Sequence, residues 1–585
     1  MTRAARRTAA VTSVLLVGAC LALVVPSAGA QQVLPCDQGG DDPTSYSHVS
    51  EPGPYAPLEP EIVDLASDLD GATIQMGLIR PDVPAGTRVP VIVHASVYFH
   101  PLQTMDLVAC DGFLINNYVP HGYAVAMLAV RGTADSGGCM DLMGPKERAD
   151  LDQAVTWLGE QPWSSGSVGM WGKSYDGSTP WMVASFGNPH LKTIVPASGV
   201  PDLFALMYGA GTPDWRGPAI LSDIYYAQSA AFYAPGRSPG HTAEVLACPD
   251  YATGTAAAAF SGATGLMDPL GYWEARRYTG DILARYRGSV FLIQGLQDWN
   301  VNPAQQFPWI GELEARGVEV KYLLGQWGHS WPDQVSAPHR RSDFADILLA
   351  WWDRWLKERN GSRTGPVAEV EDSTGTWRRS TRWPPAKGDG RTFWLTPTGE
   401  LAAAPTQAEG SDVVGPDLAH TRNTQVSSGS YGALDTLCEQ PGCAAFESAP
   451  FEEPFRFAGL PTLRLSVVPT GPGGGLSVYL YAVDASGAAR RLGWGQVNLG
   501  FEAPGVPRPV TPGEEMEVAF DLQPLDAVVP AGSRLLLLVS EGSAWNRLPT
   551  APNYPVELLE GGGRSSFEVL RIDVKPKDVF TPPAG

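Results

Sequence analysis

The sequence predicts an α/β domain with a mostly parallel sheet, a helical insertion within it, and a C-terminal all-β domain. Apolar strands alternate with amphipathic helices over about residues 61–202 and again over 285–360, a pattern typical of parallel sheets with crossover helices. Residues 203–284 break this alternation with Ala-rich, aromatic-rich sequence. Beyond residue 361 apolar residues recur at every second position, as in strands with one buried face. The 585 residues are too many for one core, so several domains are expected.

The first 30 residues predict a secretory signal peptide, followed by a polar lead-in over residues 31–60. Three arginines precede an apolar run over residues 9–25, and Ala-Gly-Ala at 28–30 offers a small-residue cleavage site. A lipoprotein signal ending at Cys20 is the alternative, which is disfavoured because the apolar run continues past that cysteine. No later stretch is apolar enough to span a bilayer. The mature chain is therefore expected to be extracellular, without a membrane anchor.

The first candidate for chemistry is Ser174, within Gly-Lys-Ser-Tyr-Asp-Gly at 172–177. A short apolar strand is expected at 167–171 and a helix at 178–186, with Pro180 in its first turn. A serine between glycines at such a strand-to-helix turn exposes its hydroxyl group and lies at a helix N-terminus, as a nucleophile does. An incidental serine in a glycine-rich turn is the alternative for this hexapeptide alone.

Two further residues complete a possible catalytic triad. Asp298 follows the apolar run 290–293, and His329 follows a predicted strand over 318–324. A helix is expected between them, with Asn302 as its N-cap and its end near Gly317. The order serine, acid, histidine is that of α/β-hydrolases. Taken singly, each residue has an alternative interpretation: Asp298 as an ordinary turn residue and His329 as an ordinary surface histidine.

Two other histidines are the nearest rivals to His329. His121 precedes a predicted strand, and His339 lies in a polar run before the helix predicted over 344–357. Neither follows a strand, so the three residues at strand ends favour His329 as the catalytic base.

The motifs around these residues resemble the Xaa-Pro dipeptidyl-peptidase group of serine hydrolases, which also includes cocaine-esterase-like and α-amino-acid ester hydrolases. The resemblance rests on the 172–177 motif, on Gly-Leu-Gln-Asp-Trp-Asn-Val at 295–301 and on Gln-Trp-Gly-His-Ser at 326–330. It covers most of residues 60–575. It implies an α/β-hydrolase domain with Ser174 as nucleophile, Asp298 as orienting acid and His329 as general base, followed by a β-sandwich of jelly-roll type.

The resemblance also implies an oxyanion hole. Its first donor would be the hydroxyl group of Tyr98, on a loop after the strand predicted at 89–94, with Val97 where the family usually has proline. The second would be the backbone N–H of Tyr175, the residue after the nucleophile.

The insertion at 203–284 is expected to form a cap over the site. Its aromatic and acidic side chains could line a substrate pocket, although core packing is the commoner explanation for any one aromatic residue and solvent exposure for any one carboxylate. The candidates are Trp215, Tyr225 and Tyr226 for an apolar wall and Asp202, Asp214 and Asp223 for a substrate ammonium group.

Six cysteines remain after removal of the signal, and an even number in an exported protein favours disulfides. Six cysteines allow fifteen pairings. Local spacing favours Cys438–Cys443 and Cys110–Cys139, which leaves Cys36–Cys248 by elimination.

The net charge of the chain and the motifs it lacks argue against several classes of partner and cofactor. The formal charge of −21 argues against a nucleic-acid partner, and no zinc or nucleotide-binding motif is found, so no metal and no cofactor are expected. The domains expected are a signal peptide (1–30), an α/β-hydrolase domain in two parts (31–202 and 285–360), a cap (203–284) and a β-sandwich (361–585). The oligomeric state is left open.

The resemblance favours a secreted peptidase that acts on peptides with proline second from a free N-terminus. An esterase or acylase acting on small esters or amides is the alternative within the enzymes. A secreted carbohydrate-binding protein with an inactive hydrolase domain is the alternative from another class.

Overall fold

The computed structural model describes residues 46–99, 112–211, 248, 271–359, 364–385, 388–415, 442–503, 506–541 and 554–583. The signal peptide predicted for residues 1–30 lies outside these ranges. The chain forms an α/β domain followed by a β-sandwich, as the sequence predicts.

In the described part of the chain, the α/β domain contains a sheet of ten strands, β1–β10. Their bounds are Glu61–Ala66, Thr73–Ile79, Val89–Ser96, Ala124–Ala129, Ser164–Lys173, Leu191–Ala197, Ser289–Gly295, Val320–Gly325, Ala368–Glu371 and Trp377–Ser380. The helices described, α1–α7, are Gly112–Tyr118, Pro145–Glu160, Tyr175–Ala184, Leu203–Met207, Thr279–Arg285, Phe307–Ala315 and Phe344–Leu356. None of these helices is both long and apolar enough to cross a membrane.

The strand order is β1-β2-β4-β3-β5-β6-β7-β8-β9-β10. Strands β3 to β9 run parallel, whereas β1, β2 and β10 add antiparallel pairs at the two edges. Side chains from α2, α3 and α6 pack on one face of this sheet, and those from α1 and α7 pack on the other. Covering both faces explains why β3 and β4 consist entirely of buried residues.

The helix after the candidate nucleophile begins earlier than predicted. It starts at Tyr175, directly after Ser174, so Pro180 lies inside the helix and not in its first turn. Proline has no N–H to donate to the carbonyl group four residues earlier, that of Asp176. The hydroxyl group of Thr179 donates to that oxygen instead, at 2.9 Å. This local replacement lets the helix continue through the proline.

The segment after Asp298 also differs in detail from the prediction. Asn302 makes no side-chain capping bond, and a 3₁₀ turn over Pro303–Gln305 precedes α6, which ends near Gly317 as expected.

The sheet of the α/β domain extends past the boundary expected at residue 360. Strand β9 adds parallel to β8, and β10 returns antiparallel beside it. These two strands join the catalytic-domain sheet to the β-sandwich.

The C-terminal strands form a β-sandwich. Among the described residues its larger sheet has nine strands and its smaller sheet has four, which are, in spatial order, Cys443–Glu447, Arg534–Ser540, Gly475–Val483 and Ala489–Asn498. The alternating apolar residues predicted to face inward, such as Leu463, Leu465, Val478 and Leu480, lie in the core between the sheets. Strands β11–β25 are Asp389–Leu395, Leu401–Ala402, Glu409–Val414, Cys443–Glu447, Phe455–Gly459, Thr462–Pro469, Gly475–Val483, Ala489–Asn498, Phe501–Ala503, Val506–Pro507, Met516–Asp521, Leu525–Val529, Arg534–Ser540, Val556–Gly561 and Ser566–Ile572.

Only the two ends of the insertion expected as a cap, together with Cys248 between them, are described. Helix α4 and a 3₁₀ turn over Gly209–Gly211 begin it, and a 3₁₀ turn over Glu274–Arg276 precedes α5 at its end. The central part, with Asp214, Trp215, Asp223, Tyr225 and Tyr226, lies outside the described residues.

Two predicted disulfides are wrong. Cys139 is bonded to Cys248, with their Cα atoms 5.8 Å apart, so neither Cys110–Cys139 nor Cys36–Cys248 forms. Spacing along the chain favoured a local pair, but the fold brings the loop after β4 to a residue 109 positions away. The bond therefore ties the expected cap to the catalytic domain.

The third predicted disulfide remains a prediction. Cys443 is also in a disulfide, while its expected partner Cys438 lies outside the described residues.

Candidate active site

The three predicted triad residues emerge at one edge of the sheet. Ser174 follows β5, Asp298 follows β7 and His329 follows β8. Strands β5, β6, β7 and β8 are consecutive neighbours and run parallel, so their carboxyl ends meet along this edge. Trp331, two residues after His329, stacks on Trp171 of β5 with ring centroids 4.5 Å apart. The histidine loop therefore lies beside the strand that carries the serine.

Ser174 has the backbone of a nucleophile elbow. Its φ and ψ angles are 66° and −125°, a conformation that costs a non-glycine residue about 1–3 kcal/mol. Its N–H donates to the carbonyl group of Ala197 on the neighbouring strand at 3.0 Å. The strained turn is thus fixed to the sheet, which lets the hydroxyl group project from the bend.

The glycines of the motif are required by close backbone contacts. A Cβ atom on Gly172 would lie 2.3 Å from the carbonyl oxygen of Asp176, and one on Gly177 would lie 2.2 Å from that of Ala197. No side chain fits at either position. This close packing explains a spacing of Gly-x-Ser-x-x-Gly.

Asp298 and His329 form a hydrogen-bonded pair. Nδ1 of His329 lies 2.8 Å from Oδ2 of Asp298, whose side chain is fully buried. Nε2 of His329 is also buried and has no hydrogen-bond partner in the described part of the chain. The carboxylate therefore orients the ring and leaves Nε2 as the nitrogen that can accept a proton.

Asp298 is held in its ionised form. Its Oδ1 accepts the N–H groups of Asn300 and Val301, each at 2.9 Å. Burial alone would raise the pKa of Asp298, but the nearby charge of His329 and the hydrogen bonds from His329, Val301 and Ser198 outweigh it and lower that pKa. A carboxylate that stays ionised can stabilise the imidazolium formed during catalysis.

A chain of buried amides connects Asp298 with the nucleophile helix, and the sequence analysis missed it. Nε2 of Gln294 lies 3.4 Å from Oδ2 of Asp298, and its Oε1 accepts from Gln306 at 2.8 Å. Gln306 in turn accepts from Nε1 of Trp181 on α3 at 3.2 Å. The only signal in the sequence was a glutamine directly after the apolar run 290–293.

Tyr175 makes a second buried contact that the sequence did not reveal. Its hydroxyl group donates to Oε2 of Glu147 at 2.6 Å, and Glu147 also accepts the N–H groups of Asp141 and Met143. Burial raises the pKa of Glu147 to about 7, with a further contribution from the charge of Asp141. Glu147 thus fixes the side chain of the residue whose N–H is the predicted oxyanion donor.

Leu142 and Met143, in the loop held by Glu147, have positive φ angles of 45° and 61°. Arg276, near the end of the expected cap, donates to the carbonyl oxygens of Asp141 and Leu142. The strained loop is therefore held from both sides.

Tyr98 lies two residues beyond β3, a direct neighbour of the nucleophile strand β5. It is partly buried, and its N–H donates to the hydroxyl group of Ser96 at 2.9 Å. His94 on β3 contacts Asp176, the second residue of α3, with 2.9 Å between Nε2 and Oδ2. A buried pair thus joins β3, the strand that precedes the Tyr98 loop, to the start of the nucleophile helix, while the oxyanion role of Tyr98 remains a prediction.

The rival histidines have other positions. His121 precedes β4 and therefore lies at the opposite, amino end of the parallel strands. Nδ1 of His339 contacts Oε1 of Glu371 at 2.5 Å. Glu371 also accepts the N–H of Gln326 at 2.9 Å, so His339 supports the loop that carries His329.

Asp202, a predicted pocket residue, has structural partners. It caps α4 by accepting the N–H of Ala205 at 2.8 Å, and its other oxygen lies 3.2 Å from Nε of Arg277. Burial raises the pKa of Asp202 despite both contacts. Because both carboxylate oxygens are engaged, the structure assigns Asp202 a capping role.

Among the described residues, no three His, Cys, Asp or Glu side chains lie close enough together to form a metal-binding site.

Two protein-family models match the chain. The X-Pro dipeptidyl-peptidase (S15 family) model matches residues 70–331, and the X-Pro dipeptidyl-peptidase C-terminal non-catalytic domain model matches residues 360–557. Together they cover most of the α/β domain and most of the β-sandwich. The chain belongs to the X-Pro dipeptidyl-peptidase family of serine peptidases.

Curated relatives agree with this membership. A provisionally named Xaa-Pro dipeptidyl-peptidase of Streptomyces avermitilis is 28% identical over 561 residues, covering 81% of this chain and 78% of that protein. The Xaa-Pro dipeptidyl-peptidase of Lacticaseibacillus paracasei is 24% identical over 589 residues, covering 86% of this chain and 67% of that protein. The chain spans 56% and 58% of the length of two Bacillus relatives.

Solved structures share the fold. An α-amino-acid ester hydrolase superposes with a TM-score of 0.67 at 17% identity, covering 94% of this chain and all of that one. At this identity the likeness shows the architecture alone: an α/β-hydrolase domain with a β-sandwich after it.

Proposed function

We propose that the protein is a Xaa-Pro dipeptidyl-peptidase that uses Ser174 as its nucleophile. The observation that carries this proposal is the hydrogen bond between His329 and the buried Asp298, at the same edge of the sheet as the strained elbow of Ser174. Family membership supplies the substrate class, peptides with proline second from a free N-terminus.

The proposed reaction has two steps. Oγ of Ser174 attacks the carbonyl carbon of the substrate's proline residue, and Nε2 of His329 takes the hydroxyl proton. The C–N bond then breaks, and the proton passes from His329 to the leaving amine. Water next attacks the acyl-enzyme, gives up a proton to His329, and releases the dipeptide as Ser174 regains its proton. The N–H of Tyr175 and the hydroxyl group of Tyr98 would stabilise the oxyanion.

A dipeptidyl-peptidase also needs a group that binds the substrate's ammonium ion. Asp202 is engaged with Ala205 and Arg277, so Asp214 and Asp223 are the remaining carboxylates of the original candidates. The aromatic residues Trp215, Tyr225 and Tyr226 stay our candidates for the wall around proline.

We also propose that the protein is exported. The predicted signal peptide and cleavage site support this. The Cys139–Cys248 bond adds support, because disulfides persist mainly in oxidising compartments.

The substrate class can be tested with three chromogenic substrates: a free Ala-Pro amide, its N-acetylated form and a simple acyl ester. We expect the free Ala-Pro amide to be preferred. N-acetylation should lower kcat/KM about a hundredfold, because roughly 2–3 kcal/mol of charge-assisted binding is lost. Equal turnover of the free and acetylated amides would contradict the dipeptidyl-peptidase proposal. Preference for the ester would favour the esterase alternative.

A further inference from the structure

The two loops that carry Asp298 and His329 both contact the β-sandwich. Gln297, next to Asp298, donates from Nε2 to the carbonyl oxygen of Leu492 in β18 at 3.1 Å. Gln326, three residues before His329, donates to the carbonyl oxygen of Asp526 in β22 at 3.4 Å. Two backbone carbonyl groups of the C-terminal domain thus accept hydrogen bonds from the catalytic loops.

The same two glutamines join the loops to each other. Nε2 of Gln297 lies 3.4 Å from Oε1 of Gln326, and the N–H of Gln297 donates to the carbonyl oxygen of Trp327 at 3.1 Å. Both glutamine side chains are almost completely buried. A buried amide that loses its hydrogen-bond partner is disfavoured, so these contacts restrain how the loops lie.

The acceptor in β22 is itself rigidly held. Arg456 binds both carboxylate oxygens of Asp526, at 2.9 and 2.8 Å, and Asp526 is 1% exposed. Nearby, Oε1 of Gln523 accepts the N–H of Ala304, just beyond the acid loop, at 2.9 Å.

The α/β domain holds Gln326 from the other side. Glu371 of β9 accepts the N–H of Gln326 at 2.9 Å through its carboxylate and the side-chain amide at 3.0 Å through its carbonyl oxygen. Gln326 therefore bridges the last strands of the sheet and the β-sandwich.

We propose that the β-sandwich is a positioning element of the active site, with Gln297 and Gln326 as positioning residues. This inference rests on the proposed triad, and it gives a catalytic consequence to a domain whose family model is described as non-catalytic. A misplacement of about 1 Å at a reacting group can cost about a hundredfold in rate. Loss of either contact would let Asp298 and His329 move relative to Ser174.

The test compares Gln297→Leu, Gln326→Leu and the double variant with a matched control, Ser373→Ala. Ser373 also bonds the β-sandwich, donating to the carbonyl oxygen of Val528 at 3.1 Å and accepting its N–H at 2.9 Å, but it lies on neither catalytic loop. For each variant kcat, KM, the pH dependence of kcat/KM and the melting temperature are measured with the preferred substrate.

We expect each glutamine variant to lower kcat about ten- to a hundredfold with little change in KM, and to shift the acidic limb of the pH profile. The double variant should lose less than the sum of the two free-energy effects, because the two amides contact each other. Ser373→Ala should lower the melting temperature and keep the wild-type kcat and pH profile.

Wild-type kcat and pH profiles in both glutamine variants, with only a lower melting temperature, would overturn the inference. If Gln326→Leu does not fold, Gln297→Leu and Gln523→Ala provide the same comparison. The outcome is distinguishable from failure of the proposed function, since that is decided by Ser174→Ala. An inactive Ser174→Ala beside fully active glutamine variants would refute only the positioning role.

Discussion

The hydroxyl group of Tyr175 donates a 2.6 Å hydrogen bond to Oε2 of Glu147, a fully buried carboxyl group. This contact connects the first residue of the nucleophile helix with α2 and with the strained loop at 142–143. The position of the N–H group proposed as an oxyanion donor therefore depends on an acid that takes no part in the bond changes.

Glu147 should make stability depend on pH. Burial raises its pKa in the folded protein from 4.5 to about 7, so between these values the folded protein holds a proton that the unfolded chain has lost. The stabilisation from this group is complete below the unfolded pKa and is lost as pH rises through about 7.

We therefore expect the stability advantage of the wild type over Glu147→Gln to shrink by about 2–3 kcal/mol between pH 5 and pH 8. Urea unfolding of both proteins across this range measures it. A constant difference in the free energy of unfolding would contradict the buried-acid interpretation.

Ser174→Ala should abolish turnover and leave the fold intact. The serine hydroxyl acts together with the histidine, so its loss is expected to cost at least about 10⁴-fold in kcat. Circular dichroism checks the fold, and labelling by a fluorophosphonate probe should disappear together with activity. Ser165→Ala, which changes an exposed serine on β5, is the control. More than a few per cent of wild-type activity in Ser174→Ala would refute the assignment.

Asp298→Asn tests the orienting role of the acid. An amide can accept from Asn300 and Val301 as the carboxylate does, but it cannot stabilise an imidazolium or select the same ring tautomer. We expect kcat to fall by about 10³–10⁴ with a folded protein and a near-normal KM. A loss of less than tenfold would show that His329 works without this carboxylate.

The cystine pattern can be read by peptide mapping without reduction. The mature protein should contain no free thiol, and Cys139 should be recovered linked to Cys248. Replacing both by serine should lower the free energy of unfolding by up to about 4–5 kcal/mol, because the closed loop spans a separation of 109 residues. Recovery of Cys110 linked to Cys139 would contradict the structure.

The local sequence was sufficient to predict the candidate catalytic residues and their order along the chain. Gly172 and Gly177 marked the nucleophile turn because backbone atoms leave no room for a Cβ atom there. Asp298 and His329 each follow a short apolar run, and the ends of parallel strands meet at one edge of the sheet. The alternation of apolar residues in the β-sandwich was also visible in the local sequence, because one face of each strand is buried.

Contacts between distant segments were decided only by the tertiary structure. The pairing of Cys139 with Cys248, the contact of Glu147 with Tyr175 and the amide chain from Gln294 to Gln306 join residues whose spacing carries no periodic signal. The same holds for Gln297 and Gln326, whose acceptors lie in another domain. A sequence pattern reports which face of an element is buried, whereas a buried polar group is satisfied by whichever partner the completed fold brings to it.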